Sequence, residues 1–180
     1  MEPRTAPVPP KFHLSLLIHA HQPVGNFADV FERCYQRAYL PFVQHLEKHQ
    51  RIRAALHYSG PLLSWIGKNH PEYFELLRSL VKRKQVEMVG GGFYEPILAV
   101  IPPEDQHEQI ERLAAYIEQH FGERPSGAWL AERVWEPQLP SVLRHRMFRV
   151  DLGLGIDFLI CVAIYGLVRM IRGQDDGAEA

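Results

Sequence analysis

Short apolar runs alternate along this chain with longer stretches in which apolar residues recur every three or four positions. Residues 12–19 (Phe-His-Leu-Ser-Leu-Leu-Ile-His) form the first run, and residues 52–58, Val86–Val89 and Ala128–Ala131 form the next three. Each is nearly continuous in apolar character and closes on Gly, His, Ser or Glu, the pattern of strands buried on both faces. Between them, Phe27, Val30, Phe31, Cys34 and Ala38 predict one helix. Tyr73, Phe74, Leu77, Leu80 and Val81 predict a second, with Pro71 at a first-turn position that tolerates proline. Ile110, Leu113, Ala114, Ile117 and Phe121 predict a third, preceded by Pro102-Pro103-Glu104-Asp105, whose acidic pair suits a helix N-terminus. Strand and helix alternating four times predicts an α/β fold with a parallel sheet and right-handed crossovers. Periodicity alone leaves open whether such a sheet closes into a barrel.

The pattern changes near residue 145. All 14 prolines, all three tryptophans and all ten histidines lie at or before His145. Beyond it comes Met-Phe-Arg-Val-Asp-Leu-Gly-Leu-Gly-Ile, then an apolar run over residues 156–170 and a polar end. That run is about 15 residues, short of the roughly 18–20 that cross a bilayer, so a membrane partner is not expected. The chain therefore divides into an N-terminal tail (1–11), an α/β body (12–145) and a divergent segment (146–180) with the texture of a frameshifted or truncated reading frame.

Composition narrows the function classes. Twenty Lys and Arg against 21 Asp and Glu, with a formal net charge of −1, give no basic face for nucleic acid. Cys34 and Cys161 are too few for a disulfide framework, and the N-terminus has no apolar signal core, so a reducing, cytoplasmic setting is expected. Gly90-Gly91-Gly92 leads into Phe93-Tyr94-Glu95-Pro96 and not into a Lys or a helix start, so it is no phosphate cradle.

The chemistry concentrates at the strand ends. His19-Ala20-His21-Gln22-Pro23 follows the first strand and His57-Tyr58-Ser59-Gly60-Pro61 the second. Gly91-Gly92-Phe93-Tyr94-Glu95-Pro96 follows the third, and Trp129-Leu130-Ala131-Glu132-Arg133-Val134-Trp135-Glu136-Pro137 spans the end of the fourth. In a parallel sheet these ends meet at one rim, the rim that carries ligand sites. Each cluster alone has a structural explanation: a strand-end His bonded to backbone, a glycine allowing close packing, a core Trp. Together, carboxylates, imidazoles and aromatic faces suit a sugar site.

These motifs resemble glycoside hydrolase family 57, in particular its 4-α-glucanotransferase and α-amylase members, over residues of about 12–145. The resemblance implies the first half of a (β/α)7 barrel and a retaining mechanism on α-1,4-glucans or maltooligosaccharides. It implies Glu132 as the nucleophile, His21 and Glu95 as substrate-binding residues around the scissile sugar, and His19 as a further contact. Trp129 and Trp135 would shape the sugar subsites, and no metal or organic cofactor is implied. A retaining enzyme needs a second carboxyl as acid/base. In the family it is an aspartate on a later strand, and neither Asp151 nor Asp157 has matching neighbours, so the acid/base is expected to be missing. Two other functions fit parts of the pattern: a glucan-binding module without turnover, and a metal-dependent hydrolase using His19 and His21, two residues apart on one strand face.

Overall fold

The computed structural model describes residues 16–134 and 136–147. The N-terminal tail 1–11, Trp135 and all but the first two residues of the segment 146–180 lie outside the described residues.

Four strands form one parallel sheet in the order β1 (Leu17–Ala20), β2 (Ala54–Tyr58), β3 (Val86–Gly91), β4 (Ala128–Trp129). Every strand therefore pairs with its neighbours in sequence through a helical crossover, and the predicted α/β architecture with a half-barrel sheet is what is seen. Leu17 stands opposite Ala55 and Ala20 opposite Tyr58; Ala54 opposite Val86; Gly90 opposite Ala128. Of the first run, the part within Leu17–Ala20 is strand, and residues 12–15 lie outside the described residues. The fourth ends after Trp129, because Ala131–Arg133 coil into a tight 3₁₀ turn.

The first crossover is a single winding path: α1 (Ala28–Cys34), a π-helical stretch (Tyr35–Tyr39) and α2 (Leu40–Lys48). The second holds two helices, α3 (Gly60–Asn69) and α4 (Pro71–Lys82). Helix α4 buries Tyr73, Phe74, Leu77, Leu80 and Val81, the predicted stripe. Helix α3 is not among the predicted helices; Pro61 occupies its first turn, where its missing N–H costs nothing, and Leu62, Leu63 and Ile66 are buried. The third crossover is α5 (Pro103–Phe121), with Glu104 and Asp105 in its first turn. It ends at Gly122, whose φ of 80° supplies the left-handed residue that commonly closes a helix. Helix α6 (Leu139–Met147) follows β4.

Two apolar clusters result. The larger joins β1–β3 to α1–α5 around Leu56, Leu63, Ile66, Leu77, Leu80 and Ile117. The smaller holds Leu98, Ile110, Leu139, Val142 and Leu143, and seats α6 against α5. One buried amide ties the layers together. The Gln85 side chain donates to the carbonyls of Leu46 (2.6 Å), His49 (3.1 Å) and Ile52 (2.9 Å), closing the end of α2 over the start of β3. Among the described residues no helix is long and apolar enough to cross a membrane.

Candidate active site

The strand ends do meet. His19 lies in β1 directly opposite His57 in β2, and Trp129 ends β4 opposite Gly91 of β3. His21 sits on the loop after β1. That loop is held by the buried Gln22, which donates to Tyr39 Oη at 3.0 Å and accepts from Asn26 Nδ2 at 2.7 Å. Glu95 lies on the loop after β3, whose path is fixed by Gly60 and Gly91. The Gly60 N–H donates to Phe93 O at 2.8 Å, and a Cβ at Gly60 would fall 2.4 Å from the Phe93 ring. A Cβ at Gly91 (φ 153°) would fall 2.8 Å from Trp129 O and 3.0 Å from His57 Nε2. The glycine run serves close approach of backbone to backbone and of backbone to imidazole.

Three imidazoles and one carboxylate converge. His21 Nδ1 is 2.9 Å from Glu95 Oε2, His19 Nε2 is 3.6 Å from the same oxygen, and His57 Nδ1 is 3.8 Å from Glu95 Oε1. His19 Nδ1 and His57 Nδ1 face each other at 2.8 Å. The Trp129 indole stacks on His19, with ring centroids 4.2 Å apart and an interplanar angle of 10°. Burial lowers the pKa of His19, and burial holds that of the fully enclosed His57 well below its ordinary value, so both are neutral near pH 7. His21 is the opposite case: its hydrogen bond to Glu95 raises its pKa. The site thus joins a carboxylate to one imidazole that charges readily and two that do not.

Glu132 stands in the turn three residues beyond Trp129, with its side chain exposed and its backbone at φ 54°, ψ 7°. Glu95 shares that left-handed conformation, also at φ 54°. Non-glycine residues there cost on the order of 1–3 kcal/mol and cluster at functional sites. Of the residues singled out from sequence, the structure brings His19, His21, Glu95 and Trp129 into contact and puts Glu132 on the adjoining turn; Trp135 lies outside the described residues. His57, in the motif that ends the second strand, joins the site through the pairing of β1 with β2, which the sequence does not show.

His19, His57 and Glu95 each offer one ligand atom, all within 4.8 Å of one another. Two imidazole nitrogens about 2.0–2.1 Å from a tetrahedral ion would stand about 3.3 Å apart. The observed 2.8 Å is instead the spacing of a shared proton. His21, half of the pair considered for a metal from sequence, is engaged with Glu95 and is not one of these three.

A family model described as Glycosyl hydrolase family 57 matches residues 14–161. The chain is 54% identical over 127 residues to alpha-amylase 1 of Dictyoglomus thermophilum, covering 71% of this chain and 18% of that protein. It is 50% identical over 143 residues to the 4-alpha-glucanotransferase of Thermococcus kodakarensis, covering 79% and 20%. Among solved structures, the 4-alpha-glucanotransferase of Thermococcus litoralis superposes with a TM-score of 0.71 at 51% identity, over 73% of this chain and 20% of that one. The alpha-amylase AmyC of Thermotoga maritima shares the fold, with a TM-score of 0.59 at 18% identity over 73% and 37%. The chain spans about a fifth of the length of the curated relatives it matches.

Proposed function

This chain belongs to glycosyl hydrolase family 57, and on that premise we propose that it carries the nucleophile-bearing part of a retaining enzyme acting on α-1,4-glucans. The observation behind the proposal is the convergence of His19, His21 and Glu95, with the Trp129 ring stacked on His19, next to a turn that presents Glu132. Imidazoles and a carboxylate bind sugar hydroxyls, an indole shapes the subsite, and Glu132 attacks the anomeric carbon as the glycosidic C–O bond breaks, giving a covalent glycosyl-enzyme and a departing sugar whose oxygen takes its proton from the separate acid/base. Trp135 would add a second aromatic wall. The relatives named as amylases and as glucanotransferases share this stretch equally, so the choice of acceptor, water or a second glucan, is assigned to other parts of such an enzyme.

Retention needs a second carboxyl about 5–5.5 Å from the nucleophile. None is assigned in this chain; Asp151 and Asp157, the two considered from sequence, lie outside the described residues. The 180-residue chain is therefore expected to bind maltooligosaccharides but to turn them over at least about 10²-fold more slowly than a full-length relative, the usual cost of losing a general acid. We place it in the cytoplasm, with glucan as its partner. The test is reducing-sugar release and glucan transfer by the chain and its Glu132→Gln variant. Loss of the residual turnover in the variant supports the nucleophile. Residual turnover unchanged by Glu132→Gln would remove Glu132 from the mechanism, and activity equal to a full-length relative would show that the acid/base is present.

A further inference from the structure

His57 is the most enclosed polar group of the cluster. We infer that His57 is a positioning residue: from within the sheet it donates its Nδ1–H to His19 Nδ1, and so holds His19 in the tautomer that presents Nε2–H to Glu95. The geometry follows from the strand register, which sets the two residues opposite each other, with the Nδ1 atoms 2.8 Å apart.

Two neutral imidazoles share one proton across that contact, so two arrangements exist. In the first, His57 carries its proton on Nδ1 and His19 carries its own on Nε2. His19 then points an N–H at Glu95 Oε2, 3.6 Å away, and the His57 Nδ1–H lies 3.8 Å from Glu95 Oε1. In the second, His19 donates through Nδ1. Its bare Nε2 lone pair then faces a carboxylate oxygen, and His57 must carry its proton on Nε2. That nitrogen is buried without a hydrogen-bond partner, against the backbone of Gly91. A buried donor with no acceptor costs on the order of tenfold to a hundredfold in population, and buried N–H groups without partners are rarer than buried acceptors without them. Every contact favours the first arrangement.

The consequence reaches Glu95. It receives His21 Nδ1 at 2.9 Å on Oε2, with the His19 Nε2–H directed at the same oxygen, while Oε1 is buried and without a hydrogen-bond partner. Glu95 is thus held on Oε2 by the His21 hydrogen bond, with the His19 Nε2–H as a longer electrostatic contact to the same oxygen. His57 touches no substrate in this scheme; it acts by fixing which edge of His19 is a donor. A hydrolase triad whose histidine is left in the wrong tautomer loses about 10⁴ in kcat, so a tautomer is worth fixing. The tautomer assignment rests on the strand register and the facing Nδ1 atoms and stands apart from the glucan-site reading.

The test is two-bond proton–nitrogen correlation spectroscopy on the ¹⁵N-labelled 180-residue chain near neutral pH, with Zn²⁺ and a maltooligosaccharide as separate additions. The expected result is His57 protonated on Nδ1 and His19 on Nε2, with the opposite tautomer below about a tenth in each. His57→Asn, which keeps a side-chain N–H near the Nδ1 position, is expected to preserve the His19 signature; His57→Leu, which has no donor, is expected to raise its minor tautomer several-fold. Three outcomes overturn the inference: His57 protonated on Nε2; a His19 pattern unchanged in His57→Leu; or stoichiometric Zn²⁺ binding through both Nδ1 atoms, which would make the pair an ion site. Should His57→Leu lose its dispersed amide spectrum, the unmodified chain and His57→Asn decide. Failure of the maltooligosaccharide to bind while the tautomers stand as expected counts against the glucan reading alone.

Discussion

Glu95 and Glu132 both hold left-handed backbone angles that most side chains avoid, and the two have different surroundings. Glu95 is gripped by His21, whereas Glu132 is exposed on its turn. Left-handed backbone costs a non-glycine residue about 1–2 kcal/mol, and glycine gives back about 0.5–1 kcal/mol through the freedom it adds to the unfolded chain. Glu132→Gly is therefore expected to leave the fold as stable or up to about 1 kcal/mol more stable, read from the urea midpoint, while removing the proposed nucleophile. The histidines set the pH response. His57 and His19 have pKa values lowered by folding from about 6.5, so the folded state binds fewer protons than the unfolded state. The stability they contribute is complete above about pH 6.5 and falls as pH drops below it. His21, raised by Glu95, works in the opposite sense: its contribution is complete below about pH 6.5 and fades as pH rises through its higher folded value. His57→Asn is expected to flatten the loss of stability between about pH 6.5 and pH 5; a slope equal to that of the unmodified chain would show that His57 is not the group responsible. Glu132, Glu95 and His21 stand out in the sequence by their motifs, and the structure sets His21 against Glu95 with Glu132 on the adjoining turn. Their backbone angles were not readable, and neither was the partnership of His57 with His19, which exists only once the register of two strands is set.

At the level of elements, two small groups hold more than their size suggests. Gly60 opens α3 against the Phe93 ring, where any Cβ would overlap it. Gly60→Ala is expected to destabilise by about 1–3 kcal/mol, the usual cost of overpacking, and to shift the loop that carries Glu95. Gln85 answers three carbonyls at the junction of α2 and β3. Replacing it with Leu removes the side-chain donor from all three, although Leu46 O and His49 O keep the backbone donors of His49 and Ile52, and is expected to cost on the order of 1–3 kcal/mol measured by denaturant unfolding. Helices α4 and α5 were plain in the sequence because their apolar stripes repeat at helical spacing over three turns or more. Helix α3 is less legible because its buried Leu62, Leu63 and Ile66 give a short apolar stripe that opens on a Gly-Pro pair. The fourth strand read as longer than it is because its apolar run continues into the 3₁₀ turn that presents Glu132.

For the molecule as a whole, the sheet order is the chain order, and each strand meets only the strands made just before and just after it. The cluster inherits that order, with His19 on β1, His57 on β2, Glu95 after β3 and Trp129 at the end of β4. During synthesis at about 5–20 residues per second, the interval between His19 and Trp129 leaving the ribosome is on the order of ten seconds. In that interval the imidazole pair can form as soon as β2 joins β1, the carboxylate can dock when the next loop emerges, and the indole closes over them last. A site laid down in the direction of translation can assemble while later segments of a longer relative are still emerging, so those segments would dock onto chemistry already in place.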